Sequence, residues 1–200
     1  MIVTIHQPEH FPYEGFFQKM KKSDLFVLLD NVKFRKNYFQ NRNKIINKNG
    51  KEEWFGVAVP KKSSSLLINQ VRPVEDKINN WRQKTVKKLD YNLGIDMSKV
   101  YNHDKLLDIN VSSIEWCREQ LDIKTPMIYA SSLLATGSKS ELLFQICKEL
   151  NAKTYLSGPS GKDYLDEQIF RSAGIKIDYF QPKVENYMSM IYNILSKDEK

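Results

Sequence analysis

The stretch "MIVTIHQPEHFPYEGFFQKMKKSDLFVLLD" (residues 1–30) decides the fold. Its first apolar run ends at His6, a proline-containing turn follows, and apolar side chains then recur at helical spacing over residues 13–22. A second apolar run, "LFVLLD", ends at Asp30. A strand, a helix and a strand in this order form a βαβ unit, so the two strands should be parallel. Parallel strands are covered on both faces, which explains why neither run alternates with polar residues.

The segment after the second strand predicts a β-hairpin. Two strand-like pieces, "RNKIIN" and "EEWFGVAV", flank the turn sequence "KNGK". We therefore expect an α/β fold with an open, mostly parallel sheet flanked by helices and a small antiparallel β insertion after the second strand. We expect one α/β domain over residues 1–195, with the hairpin insertion at about 35–72 and a frayed tail at 196–200.

Helical periodicity recurs in the rest of the chain, between further strand-like runs. The clearest helix is "SKSELLFQICKELNA", where Ser138 and Glu141 have the spacing of a capping box. Other helices are expected over residues 77–89, 108–121 and 162–173. Further strands are expected at "PMIYASSL", "TYLSG" and "IKIDYF", which would extend the parallel sheet.

The composition is that of a globular protein with an anionic partner. The 200 residues are 41% hydrophobic and 28% charged, which excludes disorder of the whole chain. The net charge of +7 favours a nucleotide, a sugar phosphate, RNA or an anionic membrane, although compositional drift toward Lys has the same effect. No run has the eighteen or so apolar residues of a membrane span, and "MIVTIH" lacks the basic start of a signal peptide, so a cytoplasmic location is expected. Cys117 and Cys147 predict buried core thiols, and no metal is predicted.

Three polar loops each follow a predicted strand: "HQPEHFPYEG", "DNVKFRKNYFQNRN" and "SGPSGKDY". Ligands of open parallel sheets bind at the carboxyl ends of the strands, where such loops converge. We therefore expect His6, Asp30, Arg42 and Ser157 to line one cleft.

The first loop offers a group for proton transfer. His6 and Gln7 end the first strand, beside Pro8, which stiffens the turn. An imidazole titrates near neutrality and can act as a general base, although a satisfied core histidine is the alternative. Asp30, at the end of the second strand, can orient a hydroxyl or a base. His10 lies further along the turn, and we interpret it as a packing or exposed residue.

The other two loops offer groups for anions. Lys33 and Arg42 belong to a basic loop interleaved with aromatic residues, which can stack a base and hold its phosphates; a solvated loop is the alternative. The glycine loop presents residues 157–162 at an expected helix start, which suits phosphate or carboxylate, although an ordinary strand-to-helix turn fits equally well. It matches neither the P-loop nor the G-x-G-x-x-G pattern, so the residues alone dictate no reaction type.

Five segments together resemble the WbqC-like protein family of bacterial O-antigen and other surface-polysaccharide gene clusters. They are "IHQPEHFPYEGFFQKM", "DLFVLLDNVKF", "FQNRNKI", "GSKSELLFQICKEL" and "YLSGPSGKDYLDE", which extend over nearly the whole chain. The family pattern marks His6, Gln7, Pro8, Asp30, Asn41, Arg42, Ser157, Gly158, Gly161, Lys162 and Tyr164. The resemblance implies an enzyme that transfers a glycyl, another aminoacyl or an acyl group to a nucleotide-linked amino sugar. His6 would deprotonate the acceptor, Asp30 would orient it, and the basic and glycine loops would hold anionic groups of the substrate.

Two other functions stay open. A strand, a His- and Pro-containing turn, a helix and a strand also resemble the opening of HIGH-superfamily ligases, although the HxGH spacing is missing; an ATP-using ligase would show pyrophosphate exchange. The second alternative is a non-catalytic module that binds a nucleotide sugar or RNA, and RNA binding would have a steep salt dependence. The cofactors stay unknown, and the expected partner is a small anionic substrate: a nucleotide sugar or an activated acyl donor.

Overall fold

The computed structural model describes residues 1–196, without the side chains of Asp76 and Ile78. The strands are β1 (Ile2–His6), β2 (Leu25–Leu28), β3 (Arg42–Ile46), β4 (Glu52–Gly56), β5 (Met127–Tyr129), β6 (Thr154–Ser157) and β7 (Lys176–Tyr179). The helices are α1 (Glu14–Lys21), α2 (Asp76–Asn79), α3 (Trp81–Leu93), α4 (Ser98–Tyr101), α5 (Leu106–Gln120), α6 (Lys139–Glu149), α7 (Glu167–Ser172) and α8 (Met190–Leu195).

A five-stranded parallel sheet has the order β5-β2-β1-β6-β7. Strand β1 is central: Val3 pairs with Leu25 of β2 on one side and with Tyr155 of β6 on the other. The βαβ prediction for residues 1–30 is therefore confirmed, and so is the α/β class with a mostly parallel sheet. Burial explains why: β1 and β2 consist of β-branched and large apolar residues, which suit a sheet covered on both faces.

The β-hairpin is also confirmed. Strands β3 and β4 are antiparallel, with Arg42 opposite Gly56 and Ile46 opposite Glu52. The turn closes through the N–H of Gly50, which donates to the carbonyl of Asn47 at 2.8 Å. Gly50 has a φ of +73°, a conformation that glycine adopts without steric cost.

The chain forms two compact units, each built from separate segments. The first contains Met1–Gln7, Gly15–Asp30 and Ile123–Val184; the second contains Pro8–Glu14, Asn31–Asp122 and the chain from Glu185 onward. The first unit holds the parallel sheet, with a core that includes Val3, Phe16, Phe26, Ile146 and Phe170. The second holds the hairpin, with a core that includes Phe11, Phe55, Ile68, Tyr101 and Leu106. Of the expected frayed tail, residues 197–200 lie outside the described residues.

Two local predictions about helix starts are wrong. The helix expected from Lys162 begins at Glu167, because residues Pro159–Asp163 form a 3-10 turn and the Asp166 side chain caps α7 by accepting from the Gln168 N–H at 3.1 Å. The capping box at α6 does not form among the described residues. Lys139 has a φ of +50° there, and Glu141 accepts from the side chain of Gln145 instead.

The helix expected over residues 77–89 is broken and shifted. Asn80 has a φ of +51°, outside the right-handed helical region, so it separates α2 from α3. Helix α3 therefore begins at Trp81 and runs to Leu93, where Gly94 adopts the left-handed conformation typical of a helix end.

Candidate functional site

The carboxyl ends of three neighbouring strands carry predicted site residues in the first unit. His6 ends β1, Ser157 ends β6, and Asp30 follows β2 by two residues. The pairing of Val3 with Tyr155, continued along the strands, brings Ile5 level with Ser157. The chain leaves β1 toward β2 on one side, whereas β6 lies on the other, so β1 and β6 flank a topological switch point. Ligands of open α/β sheets bind at such a point.

His6 is held as a neutral imidazole, and the residue as a whole is partly buried. Its Nδ1 lies 3.0 Å from the carbonyl oxygen of Gln7, and because a carbonyl only accepts, Nδ1 carries the proton and Nε2 the lone pair. The edge of the ring packs against Phe16. Burial and then the positive charge of Lys19 lower the pKa of His6 to about 3, against the opposing hydrogen bond to Gln7. The expectation from the sequence that His6 titrates near neutrality is therefore wrong.

His10 is a core residue of the second unit. Its side chain is fully buried, and Nε2 lies 2.9 Å from the hydroxyl of Tyr101. Burial lowers the pKa of His10 to about 3. Of the two interpretations left by the sequence, packing is confirmed and exposure is excluded.

Asp30 is buried, and both of its carboxylate oxygens accept hydrogen bonds from Ser131, which follows β5. The Ser131 N–H donates to Oδ1 at 2.9 Å and the Ser131 hydroxyl donates to Oδ2 at 2.6 Å. These two bonds, one to each oxygen, fix the orientation of the carboxylate.

The glycine loop is shaped by contact between Ser157 and Gly161. The Ser157 hydroxyl is buried and donates to the carbonyl of Gly158 at 3.2 Å. A β-carbon on Gly161 would overlap the Ser157 Oγ. Because α7 begins only at Glu167, the loop is not the N-terminus of an α-helix, and the expectation of a helix-start anion site at residues 157–162 loses that support.

The charged and aromatic members of the glycine loop are exposed. Lys162 extends over the ring of Tyr179, with its Nζ 5.3 Å from the ring centroid. Tyr164 is about half exposed, and burial of the rest of its side chain raises its pKa. Both side chains are accessible to a ligand at the end of β6.

The remaining predicted residues lie in the second unit. Lys33 is exposed. Asn41 is buried with both ends of its amide engaged: Oδ1 accepts from the N–H of Asn37 at 3.0 Å, and Nδ2 donates to the carbonyl of Val57 at 3.1 Å. The guanidinium of Arg42 lies 4.1 Å from the centroid of the Trp54 indole. Their joint placement with His6 in one cleft stays a prediction.

Lys19 acts on the candidate site residue His6, and the sequence analysis did not identify it. Lys19 is only 5% exposed, on the buried face of α1, although lysine residues are almost never fully buried unless they are paired. Its charge acts on His6, as the lowered pKa of that imidazole shows. The sequence signal was its place one residue before Met20 on a helix that directly follows the first loop.

The cysteines, possible metal ligands and apolar helices of the described residues bear on the remaining expectations from the sequence. Cys117 and Cys147 are buried free thiols, as expected, and burial raises the pKa of both. Within residues 1–196, no three or more His, Cys, Asp or Glu side chains are grouped to hold a metal ion. None of the helices described is both long and apolar enough to cross a bilayer.

Comparisons with known proteins agree with the resemblance of the five segments. The model of the WbqC-like protein family matches residues 7–193. A relative, "Uncharacterized protein Rv1507c" of Mycobacterium tuberculosis (strain ATCC 25618 / H37Rv), is 24% identical over 190 residues, which cover 89% of this chain and 81% of that protein. No solved structure matches significantly. The family match extends over most of the chain, and the chain therefore belongs to the WbqC-like protein family.

Proposed function

We propose that this protein is an enzyme of bacterial surface-polysaccharide biosynthesis that transfers a glycyl, another aminoacyl or an acyl group to a nucleotide-linked amino sugar. The family resemblance supports the reaction class. The observation that carries the proposal is the neutral, partly exposed His6 at the end of the central strand, with its lone pair on Nε2. A switch point is where an open α/β sheet binds its substrate.

In the proposed step the neutral amine of the acceptor sugar attacks the carbonyl carbon of the acyl donor. The new C–N bond forms, the bond to the leaving group breaks, and the leaving group departs with the electron pair. Nε2 of His6 accepts the amine proton. Because the pKa of His6 is lowered to about 3, its imidazolium is a strong acid that passes the proton on to the leaving group.

Neighbouring residues of the first unit would bind and orient the substrate. Asp30 would orient the acceptor amine through its carboxylate, whose position Ser131 fixes. The glycine loop, with Gln7, Ser157, Gly158, Gly161, Lys162 and Tyr164 as predicted contacts, would hold the anionic part of the substrate. Lys33, Asn41 and Arg42 stay predicted substrate-binding residues of the same activity.

The test begins with ligand screening and ends with product mass. Thermal shift of the full chain against nucleotide-linked amino sugars, ATP, acyl-CoA and glycine identifies the ligands that bind, since saturation at 100 times Kd adds roughly 2.7 kcal/mol. Mass spectrometry of the incubated mixture then detects the acylated sugar. His6→Gln should slow product formation on the order of 10²-fold, the low end of general-base effects, because the base is weak. His103, a partly exposed histidine between α4 and α5 in the second unit, gives the matched control: His103→Gln should keep the wild-type rate.

Each alternative predicts a different result. ATP-dependent pyrophosphate exchange would identify a ligase that activates its own donor. If a nucleotide sugar binds but no product forms with any of the donors tested, the protein would be a binding module and not an enzyme. Equal rates for wild type and His6→Gln, at equal melting temperatures, would exclude His6 from the chemistry.

A further inference from the structure

The second unit contains a groove between strand β4 and helix α3, with a volume of about 270 Å³. Arg42, Lys84 and Lys88 line it together with Trp54 and Trp81. Among the described residues that line the groove, none is acidic. Lys88 is paired with Glu53. Arg42 and Lys84 form no ion pair with the described residues, so they leave the groove with a positive charge that is suited to an anion.

Arg42 is the cation with an unmet hydrogen-bonding need. Its guanidinium stacks on Trp54, and its Nε is buried without a hydrogen-bond partner in the described part of the chain. No described carboxylate forms an ion pair with it. Because the Nε is buried, an anion in the groove would contact the terminal Nη groups of Arg42, whose positive charge no described carboxylate neutralises. The planar fork of arginine binds two oxygens of a phosphate at once.

The two lysines of the groove differ in what they already bind. Lys88 donates to the carbonyl of Trp54 at 2.8 Å and pairs with Glu53 at 2.9 Å. Lys84 lies one helical turn earlier on the same face of α3, is exposed, and forms no ion pair with the described residues. Lys84 can therefore supply a second positive charge to a ligand, whereas Lys88 connects helix α3 to strand β4.

The walls of the groove are held in place by specific contacts. The Thr85 hydroxyl of α3 donates to the carbonyl of Gly56 at 2.9 Å and ties the helix to β4. A β-carbon on Gly56 would overlap the carbonyl oxygen of Asn41, so glycine allows the two strands to approach. A site whose walls are fixed before binding loses little entropy when a ligand arrives.

We propose that this groove is a phosphate-binding site, in which Arg42 binds two phosphate oxygens and Lys84 supplies a second positive charge. Its volume is slightly below the 300–1,000 Å³ of typical ligand pockets, which fits a diphosphate or a phosphate with its nearest substituent. The identity of this phosphate as the diphosphate of a sugar nucleotide rests on the proposed function, whereas phosphate binding itself does not.

The test is titration calorimetry of the full chain with pyrophosphate at low salt. We expect one pyrophosphate per chain. Arg42→Gln should weaken binding about 10- to 100-fold, as expected for losing hydrogen bonds to a charged group, and Lys84→Gln should weaken it less. Arg42→Lys keeps the charge without the fork and should also bind more weakly than wild type. Lys51→Gln, an exposed site on the same hairpin, is the charge-matched control and should bind as wild type does.

The outcomes separate this site from the transferase proposal. No pyrophosphate binding, or binding that Arg42→Gln and Lys84→Gln leave unchanged, overturns the groove. Pyrophosphate binding that depends on Arg42 supports it even if no transfer reaction is found. Detectable transfer with an unchanged pyrophosphate Kd in Arg42→Gln would uphold the enzyme and reject the groove. Melting temperatures confirm that each variant is folded.

Discussion

The hydroxyl of Ser157 occupies the space that a side chain on Gly161 would need. Gly161→Ala should therefore destabilise the protein by about 1–3 kcal/mol, the usual cost of overpacking. Ser157→Ala removes the overlapping oxygen and leaves the added methyl 3.0 Å from the Leu165 Cδ1 and 3.2 Å from the Ser157 Cβ, so the double variant should recover part of the loss. Urea denaturation of the four proteins in this cycle measures the coupling.

The matched control is Gly158→Ala. A β-carbon there meets nothing within 4 Å, and the φ of −71° suits any residue. Its stability should stay within about 0.5 kcal/mol of wild type. Additive effects of Gly161→Ala and Ser157→Ala would show that the loop relaxes and that the contact does not restrict it.

A second prediction separates the structural and catalytic parts of Asp30. Asp30→Ala removes the acceptor of two hydrogen bonds from Ser131 and should lower the free energy of unfolding by about 1.5–3 kcal/mol, the usual contribution of hydrogen bonds to a charged group. Asp30→Asn should cost less, because the Ser131 hydroxyl can reverse its role and accept from the new amide. Asp163→Ala, at an exposed position, is the control and should be neutral. A folded Asp30→Asn variant with full transfer activity would contradict the proposed role of the carboxylate.

The third prediction concerns Lys19 and His6. Lys19→Met removes the smaller of two causes that lower the pKa of His6, so this pKa should rise above about 3, while burial, the larger cause, keeps it below its usual 6.5. NMR titration of the His6 ring protons measures the change. Lys21→Met, an exposed position on the same helix, should leave the titration unchanged. A His6 pKa that stays constant or falls in Lys19→Met would show that the charge of Lys19 does not reach the ring.

The fourth prediction is a loss of stability in mild acid. Burial lowers the pKa of His10 from 6.5 to about 3, so between these pH values the unfolded chain binds a proton that the folded chain does not. Stability should therefore fall as the pH drops below about 6.5, with a slope of up to about 1.4 kcal/mol per pH unit from this residue. Urea denaturation between pH 6.5 and 5 should show a shallower slope for His10→Gln. An unchanged slope would mean that His10 is protonated in the folded chain.

Sequence patterns predicted the elements of the sheet but not all of its order. The apolar runs at residues 2–6 and 25–28 identified a βαβ unit, because strands buried on both faces leave an unmistakable composition. Strand β6 pairs with β1 on the side that does not face β2. This pairing joins residues about 150 positions apart, so no local sequence pattern predicts it. Helix starts failed where single residues, Asn80 and Lys139, adopt positive φ values that their identity does not require.

The strand-end placement of the candidate site residues was predictable from the sequence, whereas the electrostatics of His6 were not; the role of these residues in a site stays a prediction. His6, Asp30 and Ser157 could be found because residues at strand ends meet at one edge of a parallel sheet. The low pKa of His6 could not be predicted, since it depends on burial of the ring and on the charge of Lys19, which lies on the buried face of α1. The groove at Arg42 could not be predicted from the sequence either, because Lys84 is distant from the hairpin in sequence and joins Arg42 only in the folded structure.

The register of the central strand has a consequence for synthesis of the chain. Ile2 of β1 pairs with Thr154 of β6. One edge of β1 therefore stays without its partner strand until about 150 further residues have been synthesised. At translation rates of roughly 5–20 residues per second, this interval lasts on the order of 10 seconds or more. During that time the nascent chain exposes an apolar strand with unpaired backbone groups, which is the kind of segment that chaperones protect from aggregation.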